Sequence, residues 1–170
     1  MTQQHTPRRN DLTGEHTVGD AGQLVLALLF ALTWIADTFF LRYTTFLNPH
    51  VPLVVRLPLG GAVLVLAAYL ANTSLSIVFG EVRDPPCVIR ESVFDWMRHP
   101  MYLSEILLYL GLLMFSLSLA AALVWVVAIG FLHTISRHEE KLLLARFGEA
   151  YAQYMREVPM WIPRLRKMRG

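Results

Sequence analysis

The chain has 170 residues, with 15 lysines and arginines against 13 acidic residues, a formal net charge of +2. It is 55% hydrophobic and only 16% charged, whereas a soluble domain is commonly about 45–50% apolar and about 25% charged. These figures exclude a disordered chain, argue against a soluble enzyme and give no ground for a nucleic-acid partner. A single cysteine, Cys87, excludes a disulfide framework and a cysteine-rich zinc cluster, and no metal site is expected. The length suits one domain, and the composition suits one embedded in a lipid bilayer.

Residues 1–20 are polar, mixed in charge and without helical periodicity, and read as a mobile tail. Ala21 to Leu47 is too long for the apolar core of an export signal, despite the preceding Arg8-Arg9, and no small-residue cleavage site follows it. It reads as a first membrane helix. Asn48 to Pro52 breaks the pattern with two prolines, and a second apolar stretch runs from Leu53 to about Phe79. Within it, Pro58 and Gly60-Gly61 mark a kink or the close approach of a neighbouring helix. Glu81 to Arg98 is a polar loop suited to the membrane interface. The third block, Met101 to Ile135, holds 35 residues. As one helix it would be about 52 Å long, against a hydrocarbon core of about 30 Å. A hairpin turning near Ser116-Leu117-Ser118 fits better. Its second arm continues through Arg137 to about Phe147, Gly148 offers a stop, and Glu149 to Glu157 forms a short interfacial helix.

The expected architecture is therefore an all-α integral membrane protein with about four transmembrane helices, ending in a helical hairpin and an interfacial cytoplasmic helix. Residues 21–163 form the domain, and 164–170 a basic tail for anionic lipid headgroups. Of the 15 basic residues, only Arg42 and Arg56 lie on the side away from both termini. The positive-inside rule then puts both termini in the cytoplasm and leaves Cys87 a reduced thiol. Asp37, Arg42 and Arg56 lie within apolar stretches, where charges are costly and find partners. A pairing of Asp37 with Arg56 or Arg42 is the structural expectation, and a contact to a substrate headgroup the alternative.

Two polar clusters stand out, Arg98-His99-Pro100-x-Tyr102 with Glu105, and Arg137-His138-Glu139-Glu140. From a turn at residue 117, helical arms of roughly 26 and 33 Å bring Pro100 and Glu139 to within one or two helical turns in depth. Pro100 suits the first turn of a helix, and the free N–H groups there, with Arg98 and His99, suit a carboxylate or phosphate. Glu139 and Glu140 suit an ammonium or ribose hydroxyls. A zwitterionic amino acid attached to a nucleoside carries both kinds of group. No glycine-rich dinucleotide-binding turn is present.

The segments RHPMYLSEILLYLG and EEKLLLARFGEAYAQYMREVPMWIP resemble the membrane methyltransferases that include isoprenylcysteine carboxyl methyltransferases and phosphatidylethanolamine N-methyltransferases. The shared pattern is R-H-P-x-Y at the start of one helix, a Glu-Glu pair after the next, and F-G-x-x-Y-x-x-Y-x-x-x-V-P beyond it. The resemblance spans roughly Val88 to Pro163. It implies S-adenosylmethionine as methyl donor, bound on the cytoplasmic side, and a lipophilic or prenylated acceptor entering from the lipid. By position it implies that His99, Tyr102, Glu139, Glu140, Tyr151 and Tyr154 hold the cofactor, with Arg98 anchoring it. Arg98 and Glu105 are the catalytic candidates, Arg98 to orient a carboxylate acceptor and Glu105 to take a proton from an amine or thiol. The chain departs from the pattern at Arg90 to Phe94, where relatives carry a Gly-Pro-Tyr-like triplet, at Ser104 in place of glycine, and at Met160 in place of arginine. The isoprenylcysteine carboxyl branch is the nearest expectation for activity. A non-catalytic accessory protein on the same scaffold and an NADPH-dependent membrane reductase are the alternatives.

Overall fold

A computed structural model describes residues 17–80 and 85–162. The expected N-terminal tail up to residue 16, Arg83 and the basic tail lie outside the described residues. Helix α1 spans Thr17–Ile35, so it begins inside the segment expected as tail. It continues through a π-helical turn, Ala36–Leu41, which ends at Arg42 in the left-handed conformation. Helix α2 spans Leu53–Gly80, α3 Pro100–Ser116, α4 Leu119–Phe147 and α5 Glu149–Glu157. No strand occurs among the described residues.

Three segments, Ala21–Leu41, Leu53–Gly80 and Leu119–Phe147, are long and apolar enough to cross a membrane. The expected fourth span, α3, is an apolar helix of 17 residues, shorter than the others because Pro100 opens it and the turn at Leu117 closes it. Leu24, Leu32, Val54, Val65 and Leu123 are exposed, as lipid-facing side chains of an integral membrane protein should be.

α2 packs along α3, and α1 along α4. The α2–α3 approach rests on Gly60 and Gly111. A Cβ on Gly60 would lie 3.0 Å from the Gly111 carbonyl oxygen, and one on Gly111 2.6 Å from Leu64 Cδ2. Small residues let two helical backbones meet where lipid gives no hydrophobic drive to associate. The core between α1, α3 and α4 holds Leu26, Phe30, Tyr109, Leu113, Ala121 and Ala128, with the Phe30 and Tyr109 rings stacked 4.3 Å apart.

The α3–α4 hairpin turns where the sequence places it. Leu117 adopts φ +47°, its N–H bonding Leu113 O at 2.7 Å, and Ser118 caps α4 by accepting from Ala121 N at 3.2 Å. Ser118 Oγ also donates to Asp37 Oδ2 at 2.5 Å, while Thr44 bonds Asp37 through both N–H and hydroxyl. The expected Asp37–arginine pair is not formed. Hydroxyls and an amide N–H satisfy the carboxylate, and Arg56 turns to Asn48 Oδ1 and Phe115 O. At the other end Gly148 separates α4 from α5 with φ +55° and ψ −130°, a conformation that side chains resist.

Candidate functional site

The hairpin arithmetic brings the start of α3 beside the last third of α4. His99 precedes Pro100, whose missing N–H loses nothing at the first helical position. Arg98 and His99 are held there by backbone pairing with the chain after α5. Arg98 N–H donates to Pro159 O at 3.0 Å and His99 N–H to Met160 O at 3.1 Å. The backbone N–H groups of Arg98 and His99 thus end on carbonyls, and in the first turn of α3 the Leu103 N–H bonds His99 O at 3.1 Å.

On α4 the buried stripe Ala121, Ala128, Leu132, Ser136 and Glu140 follows helical spacing. It carries Glu140 inward to face Arg98. Arg98 Nε donates to Glu140 Oε1 at 2.8 Å, and Nη2 approaches the same oxygen at 2.7 Å. Nη1 donates to Met155 O at 2.8 Å and Val158 O at 2.5 Å. The two side chains are 9% and 3% exposed, so this is a buried ion pair tying three segments together.

His99 lies against both glutamates, with Nε2 3.3 Å from Glu140 Oε1 and Nδ1 3.7 Å from Glu139 Oε2. Its ring stacks on Tyr102 at 5.6 Å and 17°, and the Tyr102 hydroxyl donates to Glu139. Five of the residues singled out from the sequence, Arg98, His99, Tyr102, Glu139 and Glu140, therefore form one cluster. Glu139 is its more open carboxylate, at 21% exposure.

Tyr151 and Tyr154 are buried on α5, and Tyr151 lies within electrostatic reach of Glu140 and Arg98. They pack with Val158 against Val88, Leu143, Phe147 and Met155. The Tyr154 hydroxyl donates to Phe94 O at 2.7 Å, and Arg90 lies over its ring and pairs with Glu157. The stretch that departs from the family pattern thus has a structural task. Burial pushes both tyrosine hydroxyls well above the ordinary phenol range, and for Tyr151 the Glu140 carboxylate adds to it. Glu105 stands apart, one turn deeper in α3, accepting from the Tyr109 hydroxyl at 2.5 Å. Ser104, at a second of the three departures, donates to Met101 O at 2.6 Å.

Two polar groups that sequence reasoning left out of the site sit at its edge. Ser136 Oγ, one turn before Glu140 on the same face, and Trp161 Nε1 are buried without a partner. Trp161 follows Met160, the acceptor for His99, and packs edge-on against His133 at 5.5 Å. The i, i+4 spacing of Ser136 and Glu140 was readable; its loneliness was not. Among the described residues no three His, Cys, Asp or Glu side chains converge as a metal site.

A family model described as phospholipid methyltransferase matches residues 53–150, more than half of the chain. The chain belongs to the phospholipid methyltransferase family. No curated protein matches the sequence. The family match opens at the first residue of α2 and closes at the start of α5. It thus contains Arg98, His99, Tyr102, Glu105, Glu139 and Glu140, and stops short of Tyr151 and Tyr154. This phospholipid methyltransferase family member is a membrane methyltransferase by kinship, and methyltransferases of the family generally use S-adenosylmethionine.

Proposed function

We propose that the protein transfers a methyl group from S-adenosylmethionine to a lipophilic acceptor delivered from the bilayer, at a face that lies with both termini in the cytoplasm. The observation that carries this reading is the convergence of His99, Tyr102 and the Glu139-Glu140 pair at the mouth of the α3–α4 hairpin, beneath the chain that follows α5. The donor set fits the cofactor. Carboxylates suit its sulfonium, ammonium and ribose hydroxyls, a stacked imidazole and phenol suit its flat base, and the unpartnered Trp161 Nε1 and Ser136 Oγ suit its acceptors.

S-adenosylmethionine supplies a methyl group already activated on sulfur, so alignment in a water-poor site does most of the work. Glu139 and His99 make the polar contacts, and Tyr102 orients Glu139. Tyr151 and Tyr154 anchor α5. Arg98 acts as a positioning residue, because its donors end on Glu140, Met155 O and Val158 O. Glu105, on the Tyr102 face of α3, takes the proton that leaves an amine once the nitrogen–carbon bond has formed.

For the acceptor, an isoprenylcysteine-type carboxylate is the expectation from sequence. The commitment of Arg98 favours an amine headgroup instead, since a carboxylate acceptor would need that cation and would face Glu105 and Glu139. Calorimetric titration of detergent-purified protein with S-adenosylhomocysteine tests the site. Binding that weakens about tenfold or more in His99→Ala and Glu139→Gln, at unchanged helical circular dichroism, is the expected result. Folded wild type that binds none would refute the methyltransferase reading in favour of a scaffold without chemistry. Labelled methyl transfer to phosphatidylethanolamine vesicles, set against a farnesylcysteine analogue, separates the two acceptors.

A further inference from the structure

The end of the bundle opposite the Arg98 cluster holds a second buried cation. Arg56 sits in the first turn of α2 and is 9% exposed. Its Nη1 is shared between Asn48 Oδ1 at 2.5 Å and Phe115 O at 2.6 Å. Its Nε is buried and bonds nothing. Among the described residues Nη2 has no protein acceptor and Arg56 joins no ion pair. Ser116, next to the Phe115 acceptor, is also buried with its Oγ unpartnered. Asp37 shares this end of the bundle, but two hydroxyls and an amide N–H already satisfy it.

A buried guanidinium without a counter-charge is costly. The idle Nε–Nη2 edge is the flat fork that grips an oxyanion through two parallel hydrogen bonds. Location narrows the anion. α2 has 28 residues, about 42 Å of helix against about 30 Å of hydrocarbon. Its first turn, level with the α3–α4 turn, therefore reaches the headgroup layer. Val54, Leu57 and Leu59 beside it are exposed and apolar, a surface for acyl chains.

We infer that Arg56, with Ser116, forms a binding site for a phosphate oxyanion, supplied by a membrane phospholipid headgroup. The site lies a full length of α3 from His99, so its occupant is a resident lipid and not the methyl acceptor. The bound phosphate supplies the charge that the α2–α3–α4 junction lacks.

Protein delipidated in dodecyl maltoside is titrated with dioleoylphosphatidylglycerol, with dioleoylglycerol and with sodium phosphate. Bound lipid is counted by native mass spectrometry and the thermal midpoint recorded. Wild type should retain a phospholipid and gain thermal stability from it, with no gain from dioleoylglycerol. In Arg56→Gln that affinity should fall about tenfold or more, and Arg56→Lys, which keeps the charge without the fork, should recover only part of it. Sodium phosphate matching the lipid would keep the anion site and make its source free phosphate. Wild-type phospholipid affinity in folded Arg56→Gln would overturn the proposal. If that variant does not fold, Ser116→Ala, which keeps the cation, decides: weakened binding supports the site and unchanged binding overturns it.

Discussion

Replacing Arg98 by methionine tests whether one side chain holds the cluster together. The variant keeps most of the side-chain volume and removes the donors that reach Glu140 Oε1, Met155 O and Val158 O. Glu140 is only 3% exposed, so water cannot take the place of the lost cation. His99 remains as its only ring-nitrogen neighbour at 3.3 Å among the described residues. Breaking a buried pair by removing one partner costs about 3–5 kcal/mol. At about 2–4 °C per kcal/mol for a chain of this size, the thermal midpoint should fall by roughly 6–20 °C. Adding Glu140→Met removes the stranded carboxylate and should restore a large part of the loss. Hydrogen exchange gives the local readout. The amides of Arg98 and His99, bonded to Pro159 O and Met160 O, should lose protection while those in the middle of α2 keep theirs. An unchanged midpoint together with unchanged exchange at those two amides would refute the clasp.

Other substitutions reach other parts of the molecule. Gly111→Ala drives a methyl group against Leu64 and towards the Gly60 carbonyl, and overpacking of this kind should cost about 1–3 kcal/mol, read as a lower thermal midpoint in detergent. An unchanged midpoint would mean that Leu64 moves aside freely. Ser118→Ala removes both the α4 cap and a hydroxyl from Asp37. A loss of about 1–2 kcal/mol is expected, with Ser118→Thr retaining part of it. Tyr151 and Tyr154 have raised folded-state pKa values through burial. Above about pH 10, the ordinary tyrosine value, the unfolded chain loses these protons while the folded one keeps them, so stability falls as pH rises. The Tyr151→Phe/Tyr154→Phe double variant should show a shallower alkaline fall, and an identical slope would show that neither hydroxyl is held protonated by the fold.

The part of the site that sequence revealed is the part that depends on helix geometry. Pro100, the turn at Leu117 and the Glu139-Glu140 pair suffice, with a fixed rise per residue, to bring His99 and the glutamates together. What stayed hidden depends on acceptors that every residue carries. The carbonyls of Met155, Val158, Pro159 and Met160 fix Arg98 and His99, and no side-chain signature announces a carbonyl. The same blindness explains Asp37. Charge complementarity nominates an arginine, but the π-helical turn and the α3–α4 hairpin deliver Thr44 and Ser118 instead. Arg56, deprived of that carboxylate, takes Asn48 and a carbonyl. Pro100 and the turn at Leu117 set the two ends of α3 as expected, whereas the start of α1 at Thr17 lies in residues whose polar character read as tail.

The Arg98–Val158 bond joins positions 60 residues apart, and it imposes a timetable on synthesis. At ~5–20 residues per second, Arg98 is added to the growing chain roughly 3–12 s before that carbonyl exists. Glu140 arrives on the way, 42 residues after Arg98. The bundle can therefore enter the bilayer with the cation still hydrated at the membrane edge, and the ion pair is enclosed only when the chain beyond α5 has been made and bonds Arg98. The cluster therefore cannot close until residues 155–160 have been made, which sets its completion late in synthesis.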